Sequence, residues 1–577
     1  MNNLRDLIEA IVLENAIKFG GKPSLDAVIK KLIGIKPEYS KGRIKELIPL
    51  IKEVIEVVSQ MSLDTQRERF KEVRHLLPSE VKKEIKYELP PLPNAEYGKV
   101  VTRFAPNPDF VLHLGSLRPL TLSYYYARMY DGRFILRFED TDPRTKKPEE
   151  RYYKAILDDL KWLGMEPDEI YYQSERLEIY YKIAFELLRR GRAYICLCKR
   201  DEFKKYILNG QPCPHREQDP DINLDLFNKM LAGEFNEGEA VLRIKTDLNH
   251  PNPSVRDWPA MRVINPFKYP HPRVGSKYWV WPLYNFSCAI DDHLMGITHV
   301  FRGGEHKINE IKQLFIFKHM GWSPPTYIHH GRLAIPEGIL SKSKILKGIK
   351  EGIYEGFDDL RLATLAALRR RGFRPEALKN IMIKIGLRTS EATIDWSMLA
   401  AENRRIIDPI ANRYFGVRNP VRVAIPLNKI LQVKIRKHPN HPERGERIIE
   451  VKPYNGYACL YIDYADREYI LSKNPIRLIH LGNYKLEKIH DDTLYLTFLD
   501  NDVKKASKLG YQFIHWVPDT NKVNIVMHYP GVTYRGYAEF DIVNEEEGAI
   551  VQLERIGYFK IESIRDKNTI VVIYTHE

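Results

Sequence analysis

Short strands alternate with helices along the chain from residue 99 onward, and this alternation constrains the fold more than any other feature. Residues 99–104 form a short β-branched run, and a helical pattern begins near Leu114 after a proline-containing turn. A second strand is predicted over residues 133–138, and residues 150–192 are helical in pattern. Strands that alternate with helices pair in a parallel sheet. The sequence therefore predicts an α/β domain.

Different patterns flank and interrupt this α/β region. The first 90 or so residues carry helical apolar stripes, and three prolines within residues 90–93 mark a linker. Cysteines, prolines and an extended stretch from Ala240 to Lys245 indicate an insertion, and from about residue 420 short alternating strands predict β-barrels. The predicted domains are a helical domain (1–95), the first half of the α/β domain (96–194), the insertion (195–265), the second half of the α/β domain (266–350), a helical connector (351–415) and β-barrels (416–577).

Charge and cysteine content narrow the functional class. The chain of 577 residues has 90 Lys and Arg against 76 Asp and Glu, a net charge of +14. This charge suits a polyanionic partner such as nucleic acid, although solubility alone would also explain it. Five cysteines exclude a disulfide framework. The N-terminus lacks the apolar core of a signal peptide, and no apolar stretch approaches about 18 residues, so we expect a cytoplasmic protein without membrane contacts.

Three of the five cysteines lie close together with a histidine, as Cys196, Cys198, Cys213 and His215. Four such ligands suit tetrahedral Zn²⁺. The spacing is not that of a standard zinc finger, and reduced, buried cysteines are the alternative. A closed site of four ligands would be structural. The remaining two cysteines, Cys288 and Cys459, have no partners in the sequence and are predicted to be core residues.

The segment from Arg103 to Ser116 has the properties of an anion site. It opens a helix directly after a strand, and a helix N-terminus presents unpaired N–H groups and a positive dipole end. Gly115 would let a flat base approach the backbone, and His113 adds a hydrogen-bond donor. The alternative is a rigid connection with a surface histidine.

A second candidate element follows far downstream. Residues 339–344 (Ile-Leu-Ser-Lys-Ser-Lys) and the lysines at 347 and 350 form a cation-rich loop that could stabilise charge on a triphosphate. A solvated basic loop is the alternative interpretation.

In this order the two elements resemble the signature pair of class I aminoacyl-tRNA synthetases. The neighbouring residues resemble the glutamyl/glutaminyl subgroup, and the N-terminal appendage resembles that of its archaeal-type glutamyl members. One departure is Ser116, where the first signature normally ends in a second histidine, because a hydroxyl can donate to a phosphate but cannot carry charge. The subgroup resemblance rests on residues 103–108 (Arg-Phe-Ala-Pro-Asn-Pro), 136–143 (Leu-Arg-Phe-Glu-Asp-Thr-Asp-Pro) and 296–306 (Gly-Ile-Thr-His-Val-Phe-Arg-Gly-Gly-Glu-His).

The resemblance implies a Rossmann-like catalytic domain, an insertion that binds the tRNA acceptor end and barrels that bind the anticodon. It implies a monomeric ligase that uses ATP and Mg²⁺ to join L-glutamate to tRNA(Glu), and it leaves tRNA(Gln) open as a further substrate. The implied catalytic residues are His113, Ser116 and Lys342. The implied ATP-binding residues are Asn107, His113, Gly115, Ser116, Arg332, Leu333, Ser341 and Lys342, and the implied glutamate-binding residues are Arg103, Glu139, Tyr284 and Arg302.

The residue chemistry favours glutamate over glutamine as the substrate. The guanidinium of Arg302 matches a carboxylate in a bidentate fork, and Glu139 would bind the ammonium. Individually, Arg302 could be a surface arginine, Glu139 a helix cap and Tyr284 a core residue. We expect His113, Lys342 and Arg302 to surround one cleft.

Three other functions stay open at this point. A glutaminyl-tRNA synthetase is disfavoured by Arg302. A short paralogue that glutamylates a tRNA base would lack an anticodon domain. A non-catalytic RNA-binding protein is disfavoured by the intact signature residues.

Overall fold

The computed structural model describes residues 2–18, 21–36, 44–77, 89–335, 341–472, 474–566 and 568–577. The chain forms two compact units, Met1–Lys86 and Tyr87–Glu577. None of the described helices combines the length and apolar character needed to cross a membrane.

Four α-helices form most of the described part of the first unit. The predicted apolar stripe of the first helix is confirmed, because Leu7, Ile8 and Ile11 are buried in the core of this unit. The fourth helix begins after Ser62, whose hydroxyl accepts a hydrogen bond from the backbone N–H of Thr65. The helices are α1 (Asn2–Lys18), α2 (Leu25–Ile35), α3 (Ile44–Gln60) and α4 (Leu63–Val73).

A five-stranded parallel sheet is the centre of the second unit, which confirms the predicted α/β class. Its strand order is β3-β2-β1-β8-β9, so the first strand lies between the second and the eighth. Ligand sites in open α/β sheets lie where the order reverses in this way, at the carboxyl ends of the strands. The strands are β1 (Val101–Phe104), β2 (Arg133–Phe138), β3 (Glu169–Tyr172), β8 (His299–Gly303) and β9 (Thr326–His330), and the helices are α5 (Leu114–Met129), α6 (Glu150–Leu163), α7 (Leu177–Arg189), α10 (Tyr284–Leu294) and α11 (Lys307–Met320).

A four-stranded antiparallel sheet interrupts the parallel sheet between α7 and β8. It contains the extended stretch expected around residues 240–245. Its strands and helices are β4 (Ala193–Cys196), α8 (Arg200–Leu208), α9 (Pro220–Ala232), β5 (Val241–Ile244), β6 (Pro259–Val263) and β7 (Val280–Pro282).

Helices connect the parallel sheet to the C-terminal strands, as expected. A short parallel pair, β10 with β11, joins the end of the sheet domain to this connector. The elements are β10 (Leu333–Ala334), α12 (Lys342–Lys350), α13 (Leu365–Arg371), α14 (Pro375–Ile385), β11 (Ala392–Thr393) and α15 (Trp396–Ile407).

Two curled seven-stranded sheets form the C-terminal part, which confirms the expected barrel-like β architecture. A hairpin, β15 with β16, forms a separate two-stranded sheet that packs into the core of this part through Val433, Ile435, Ile449 and Val451. The strands are β12 (Asn412–Tyr414), β13 (Gly416–Arg418), β14 (Val421–Pro426), β15 (Leu431–Arg436), β16 (Glu446–Val451), β17 (Tyr457–Ile462), β18 (Ile476–Leu478), β19 (Gly482–His490), β20 (Thr493–Asp500), β21 (Gln512–Ile514), β22 (Val517–Pro518), β23 (Lys522–Tyr529), β24 (Val532–Glu539), β25 (Ile550–Leu553), β26 (Gly557–Arg565) and β27 (Thr569–His576), with short helices α16 (Arg467–Leu471) and α17 (Val503–Lys508).

Candidate active site

A cleft of about 820 Å³ opens at the carboxyl ends of β1, β2 and β8, and the first turn of α5 contributes to its wall. Ser116, Ser341 and Lys342, which the structure also describes, do not line it. The cleft brings together residues that are far apart in the sequence. The predicted site residues that line it are Arg103, Asn107, His113, Gly115, Glu139, Tyr284, Arg302, Arg332 and Leu333.

His113 caps the N-terminus of α5 and presents a single donor. Its Nδ1 accepts a hydrogen bond from the N–H of Gly115 at 3.1 Å, so the proton of a neutral ring lies on Nε2. Burial lowers the pKa of His113, which keeps the imidazole neutral at pH 7. The ring can therefore donate from Nε2 to an anion at a helix end that already favours negative charge.

Lys342 forms an ion pair with an acidic residue of the turn that precedes α5. Its Nζ lies 2.5 Å from Oδ2 of Asp109, four residues before His113 in the sequence. The structure thus brings His113 and Arg302 to one cleft, as expected, but pairs Lys342 with Asp109 instead. Residues 339 and 340 of the predicted loop lie outside the described residues.

Two arginines of the sheet share one buried carboxylate. Nε of Arg103 is 3.2 Å and Nη1 of Arg137 is 2.7 Å from Oδ1 of Asp292. Burial alone would raise the pKa of Asp292, but the two guanidinium groups lower it, so the carboxylate is ionised. The carboxylate of Asp292 therefore already balances part of the positive charge of these two arginines.

Glu139 follows β2 directly and is held by two donors. Its Oε1 accepts from Nη2 of Arg137 at 3.2 Å and from Sγ of Cys288 at 2.9 Å. Burial raises the pKa of Cys288 well above its usual value, so the group is a thiol that can donate. Cys288 is a buried, free cysteine, as predicted, and its contact with Glu139 is an addition that the sequence did not indicate. Arg137 is not among the predicted site residues, although an arginine within a buried strand signals a required partner.

Arg302 is buried at 5% exposure and has a different environment from Arg103 and Arg137. Its Nη1 donates to Oε1 of Gln313 at 3.0 Å, and its Nε lies 3.3 Å from Nε2 of His329. The ring of Tyr327 lies 4.4 Å from its guanidinium carbon. Nη2 is buried and has no hydrogen-bond partner among the described residues. Arg302 lines the cleft, and Nη2 is paired there only with the carboxylate of Glu310, at 3.9 Å, among the described residues.

Tyr284 begins α10 and lines the cleft beside His306, with the two ring centres 5.9 Å apart. Burial raises the pKa of Tyr284, so the phenol keeps its proton and can donate. Tyr284 is therefore a half-buried wall residue with a polar end, which fits a pocket better than plain core.

The edge of the cleft near β10 is organised by Arg118. This fully buried side chain of α5 donates to the backbone carbonyls of Gly331, Gly386 and Arg388 at 2.7 to 3.3 Å. Arg332 and Leu333, which follow Gly331, line the cleft. One guanidinium therefore fixes the backbone that leads into both of these residues.

The four candidate zinc ligands converge in the insertion. Their ligand atoms all lie within 4.8 Å of one another, with Sγ of Cys196 3.9 Å from Sγ of Cys213 and Sγ of Cys198 3.4 Å from Nδ1 of His215. Tetrahedral Zn²⁺ with thiolate and imidazole ligands separates them by about 3.5 to 4 Å. The donor set and its spacing fit this ion.

Comparisons with known proteins agree along the whole chain. The family described as "tRNA synthetases class I (E and Q), catalytic domain" matches residues 99–409, and two families described as the anti-codon binding domain of the same enzymes match residues 411–498 and 513–562. The chain is 47% identical over 570 residues to a protein of Pyrococcus furiosus named glutamate--tRNA ligase, covering 98% of each chain.

A second glutamate--tRNA ligase, from Pyrococcus horikoshii, is 48% identical over 581 residues, and the match covers 99% of this chain and 100% of that protein. Among solved structures, a glutamate tRNA ligase of Elizabethkingia meningosepticum aligns with 54% of this chain and 70% of its own, at 24% identity and a TM-score of 0.41.

Proposed function

The chain belongs to the class I tRNA synthetases of the glutamyl and glutaminyl subgroup, and from this premise we propose how its cleft activates glutamate. Its activity is the ATP-dependent ligation of L-glutamate to tRNA, as in the relatives that match its full length. The proposal assigns each substrate group to named side chains.

Arg302 binds the side-chain carboxylate of glutamate, and the missing hydrogen-bond partner of its Nη2 among the described residues is the observation that carries this assignment. A buried guanidinium nitrogen without a hydrogen-bond partner among the described residues is costly unless a substrate atom meets it. A carboxylate would accept from Nη2 and neutralise the charge. A glutamine carboxamide would supply an oxygen but no charge, so glutamate is preferred.

Glu139 binds the substrate ammonium. It lies in the cleft, and Arg137 and Cys288 fix its Oε1, which leaves Oε2 for the ligand. Arg103 and Tyr284 complete the amino-acid pocket from β1 and α10. With both ends of glutamate held, its α-carboxylate is positioned toward the N-terminus of α5.

The nucleotide lies along the first turn of α5. Asn107, Gly115, Arg332 and Leu333 contact the nucleoside, and the buried Oδ1 of Asn107 has no hydrogen-bond partner among the described residues. The phosphates meet the Nε2 proton of His113 and the hydroxyl of Ser116. Lys342, together with Ser341, moves from Asp109 to the phosphates during the reaction. Mg²⁺ bound to the phosphates would withdraw charge from them.

The first step needs no general base, since the α-carboxylate of glutamate is ionised at pH 7. A carboxylate oxygen forms a bond to the α-phosphorus of ATP, and the bond to the bridging oxygen breaks, which releases pyrophosphate. His113 and Lys342 stabilise the charge on the leaving group. In the second step the terminal ribose hydroxyl of tRNA attacks the carbonyl carbon of the adenylate, and AMP leaves. Catalysis is thus positioning and charge stabilisation.

The insertion contains a structural Zn²⁺ site, formed by Cys196, Cys198, Cys213 and His215. These side chains would fill all four positions of a tetrahedral ion, so the site would have no position for a substrate. The ion would hold β4 against the loop that follows α8. The convergence of the four ligand atoms supports this assignment.

Pyrophosphate exchange and tRNA charging test the proposal directly. We expect glutamate-dependent exchange with ATP in the presence of tRNA(Glu), and charging of that tRNA. Arg302→Leu should abolish both with glutamate, whereas Arg190→Leu, at the exposed residue that follows α7, should not. Binding of tRNA without exchange would instead favour a non-catalytic RNA-binding protein. Charging of tRNA(Gln) in parallel decides whether the enzyme accepts that second tRNA.

A further inference from the structure

A chain of neutral side chains runs from Arg302 to another residue of the cleft wall, His306. Gln313 accepts from Arg302 at 3.0 Å, and its Nε2 donates to Oδ1 of Asn285 at 3.3 Å. Nδ2 of Asn285 donates to Oδ1 of Asn309 at 3.1 Å, and Nδ2 of Asn309 lies 3.0 Å from Nδ1 of His306. We call the four neutral residues of this chain, Gln313, Asn285, Asn309 and His306, the amide relay.

The guanidinium of Arg302 fixes the direction of every hydrogen bond in the amide relay. A guanidinium can only donate, so Gln313 must present its oxygen to Arg302 and its nitrogen to Asn285. The same reasoning orients Asn309, whose nitrogen donates to Nδ1 of His306. Burial lowers the pKa of His306, so the ring is neutral and its proton lies on Nε2. Gln313, which is fully buried on α11, has no freedom to reverse its amide.

The amide relay holds Arg302 without neutralising it. Gln313 carries no charge, and burial together with Arg302 lowers the pKa of His329 to about 4, so that ring is also neutral at pH 7. The carboxylate of Glu310 forms an ion pair with Nη2 at 3.9 Å but is too distant to accept a hydrogen bond from it. Arg137, in contrast, donates hydrogen bonds to two carboxylates. Arg302 therefore has fewer and more distant anionic partners than Arg137.

We propose that Gln313 is a positioning residue that sets the preference for glutamate over glutamine, because its neutral amide aims the guanidinium of Arg302 without cancelling its charge. This inference rests on the proposed role of Arg302 as the ligand of the substrate side chain. A glutamate at position 313 would have the same shape and would place a carboxylate where the amide oxygen now lies. The substrate carboxylate would then lose its electrostatic advantage over a carboxamide.

Gln313→Glu tests this in tRNA-dependent ATP–pyrophosphate exchange. We expect the KM for glutamate to rise by about 10- to 100-fold, which is the range for the loss of a charged hydrogen bond. At saturating glutamate, kcat should stay within about threefold of wild type, since the nucleotide contacts are unchanged. The ratio of kcat/KM for glutamate to that for glutamine should fall by about tenfold or more.

Gln313→Met is the matched neutral variant. It removes the acceptor at similar volume but introduces no charge. We expect it to raise the KM for glutamate while keeping the glutamate-to-glutamine ratio within about threefold of wild type. If Met and Glu at position 313 change this ratio equally, Gln313 has only a structural role and the inference is overturned.

Asn285→Asp gives a graded second variant that tests the proposal even if Gln313→Glu does not fold. Its carboxylate would be separated from Arg302 by the amide of Gln313, so a smaller rise in KM for glutamate is expected than for the charge at position 313. Thermal melting of each variant shows that it is folded. A larger loss of selectivity from Asn285→Asp than from Gln313→Glu would contradict the proposed order of the amide relay.

The outcomes separate this inference from the proposed function. If the wild-type protein shows no glutamate-dependent exchange, the proposed function itself fails. If the wild type is active and Arg302→Leu is inactive, while Gln313→Glu keeps both the KM and the selectivity ratio, only the inference about Gln313 fails.

Discussion

The ammonium of Lys342 and the carboxylate of Asp109 form an ion pair with 2.5 Å between Nζ and Oδ2, although 233 positions separate them in the sequence. Asp109 belongs to the turn that leads into His113 and α5. In the proposed reaction the same ammonium serves the phosphates of ATP. The pair therefore competes with the nucleotide for Lys342.

Weakening the ion pair between Lys342 and Asp109 should raise the catalytic efficiency of the enzyme with ATP. The lysine side chain is 40% exposed, and such a pair contributes about 1 kcal/mol or less. We expect Asp109→Asn to raise kcat/KM for ATP in pyrophosphate exchange by up to about fivefold. Asp225→Asn, in an exposed pair of α9, is the control and should leave the value unchanged. A fall of more than about tenfold would mean that Asp109 assists the reaction.

Removal of the ammonium of Lys342 should greatly lower the rate of pyrophosphate exchange. Lys342→Met is expected to lower kcat for exchange by about 100- to 1000-fold, which is typical for the loss of one charge-stabilising donor. The KM for glutamate should change little, because Lys342 does not line the amino-acid pocket. Lys229→Met, at the partner of Asp225, is the matched control. Near-normal kcat in Lys342→Met would exclude Lys342 from the chemical step.

The thiol of Cys288 should contribute to amino-acid binding through Glu139. Cys288→Ala removes the donor that lies 2.9 Å from Oε1 of Glu139, and we expect the KM for glutamate to rise by about three- to tenfold. Cys288→Ser restores a donor and should lie closer to wild type. Equal KM values for the alanine and serine variants would show that packing alone matters at this position.

Acidification should destabilise the C-terminal sheets through His515. Burial, followed by the charge of Arg555, lowers the pKa of His515 to about 4, against about 6.5 in an unfolded chain. Between these values the unfolded state binds more protons, so stability falls as the pH decreases from about 6.5 to about 4, by up to about 3 kcal/mol.

The His515→Gln variant tests this pH dependence. It should flatten the dependence of the melting temperature over that pH window, whereas His490→Gln at an exposed position should not. An unchanged slope in His515→Gln would assign the acid sensitivity to other groups.

Loss of one cysteine should remove the proposed zinc ion. We expect elemental analysis of the purified protein to find one zinc per chain, and none after Cys213→Ser. Cys459→Ser lies outside the cluster and should retain the metal. The melting temperature should fall for the first variant only. A wild-type protein free of zinc after growth in zinc-supplemented medium would support the alternative of reduced cysteines.

Much of the fold could be predicted because strand patterns are local. The strand expected over residues 133–138 coincides with β2, and the stretch from 240 to 245 contains β5. The order of strands in the sheet could not be predicted in the same way, since β1 pairs with β8 nearly 200 residues later. Pairing at this distance depends on how the crossovers pack.

Site residues that belong to a sequence motif could be predicted, whereas the residues that contact them in the folded protein could not. Arg302 and Glu139 belong to recognisable segments. Their partners Gln313 and Cys288 lie on helices, where spacing alone cannot show which strand residue a side chain meets. Helical periodicity could have shown that Gln313 lies on the buried face of α11. A buried amide requires hydrogen-bond partners, so this position indicates a polar contact without identifying its partner.

Arg118 joins α5 to two later segments through their backbone. Its acceptors are the backbone carbonyls of Gly331, Gly386 and Arg388, and every amino acid carries such a carbonyl. Two of these positions nevertheless require glycine, since a Cβ on Gly331 would lie 1.9 Å from the carbonyl oxygen of Ser390, and Gly386 has a φ of +57°. A single substitution at Arg118, Gly331 or Gly386 would therefore disturb the backbone at this edge of the cleft.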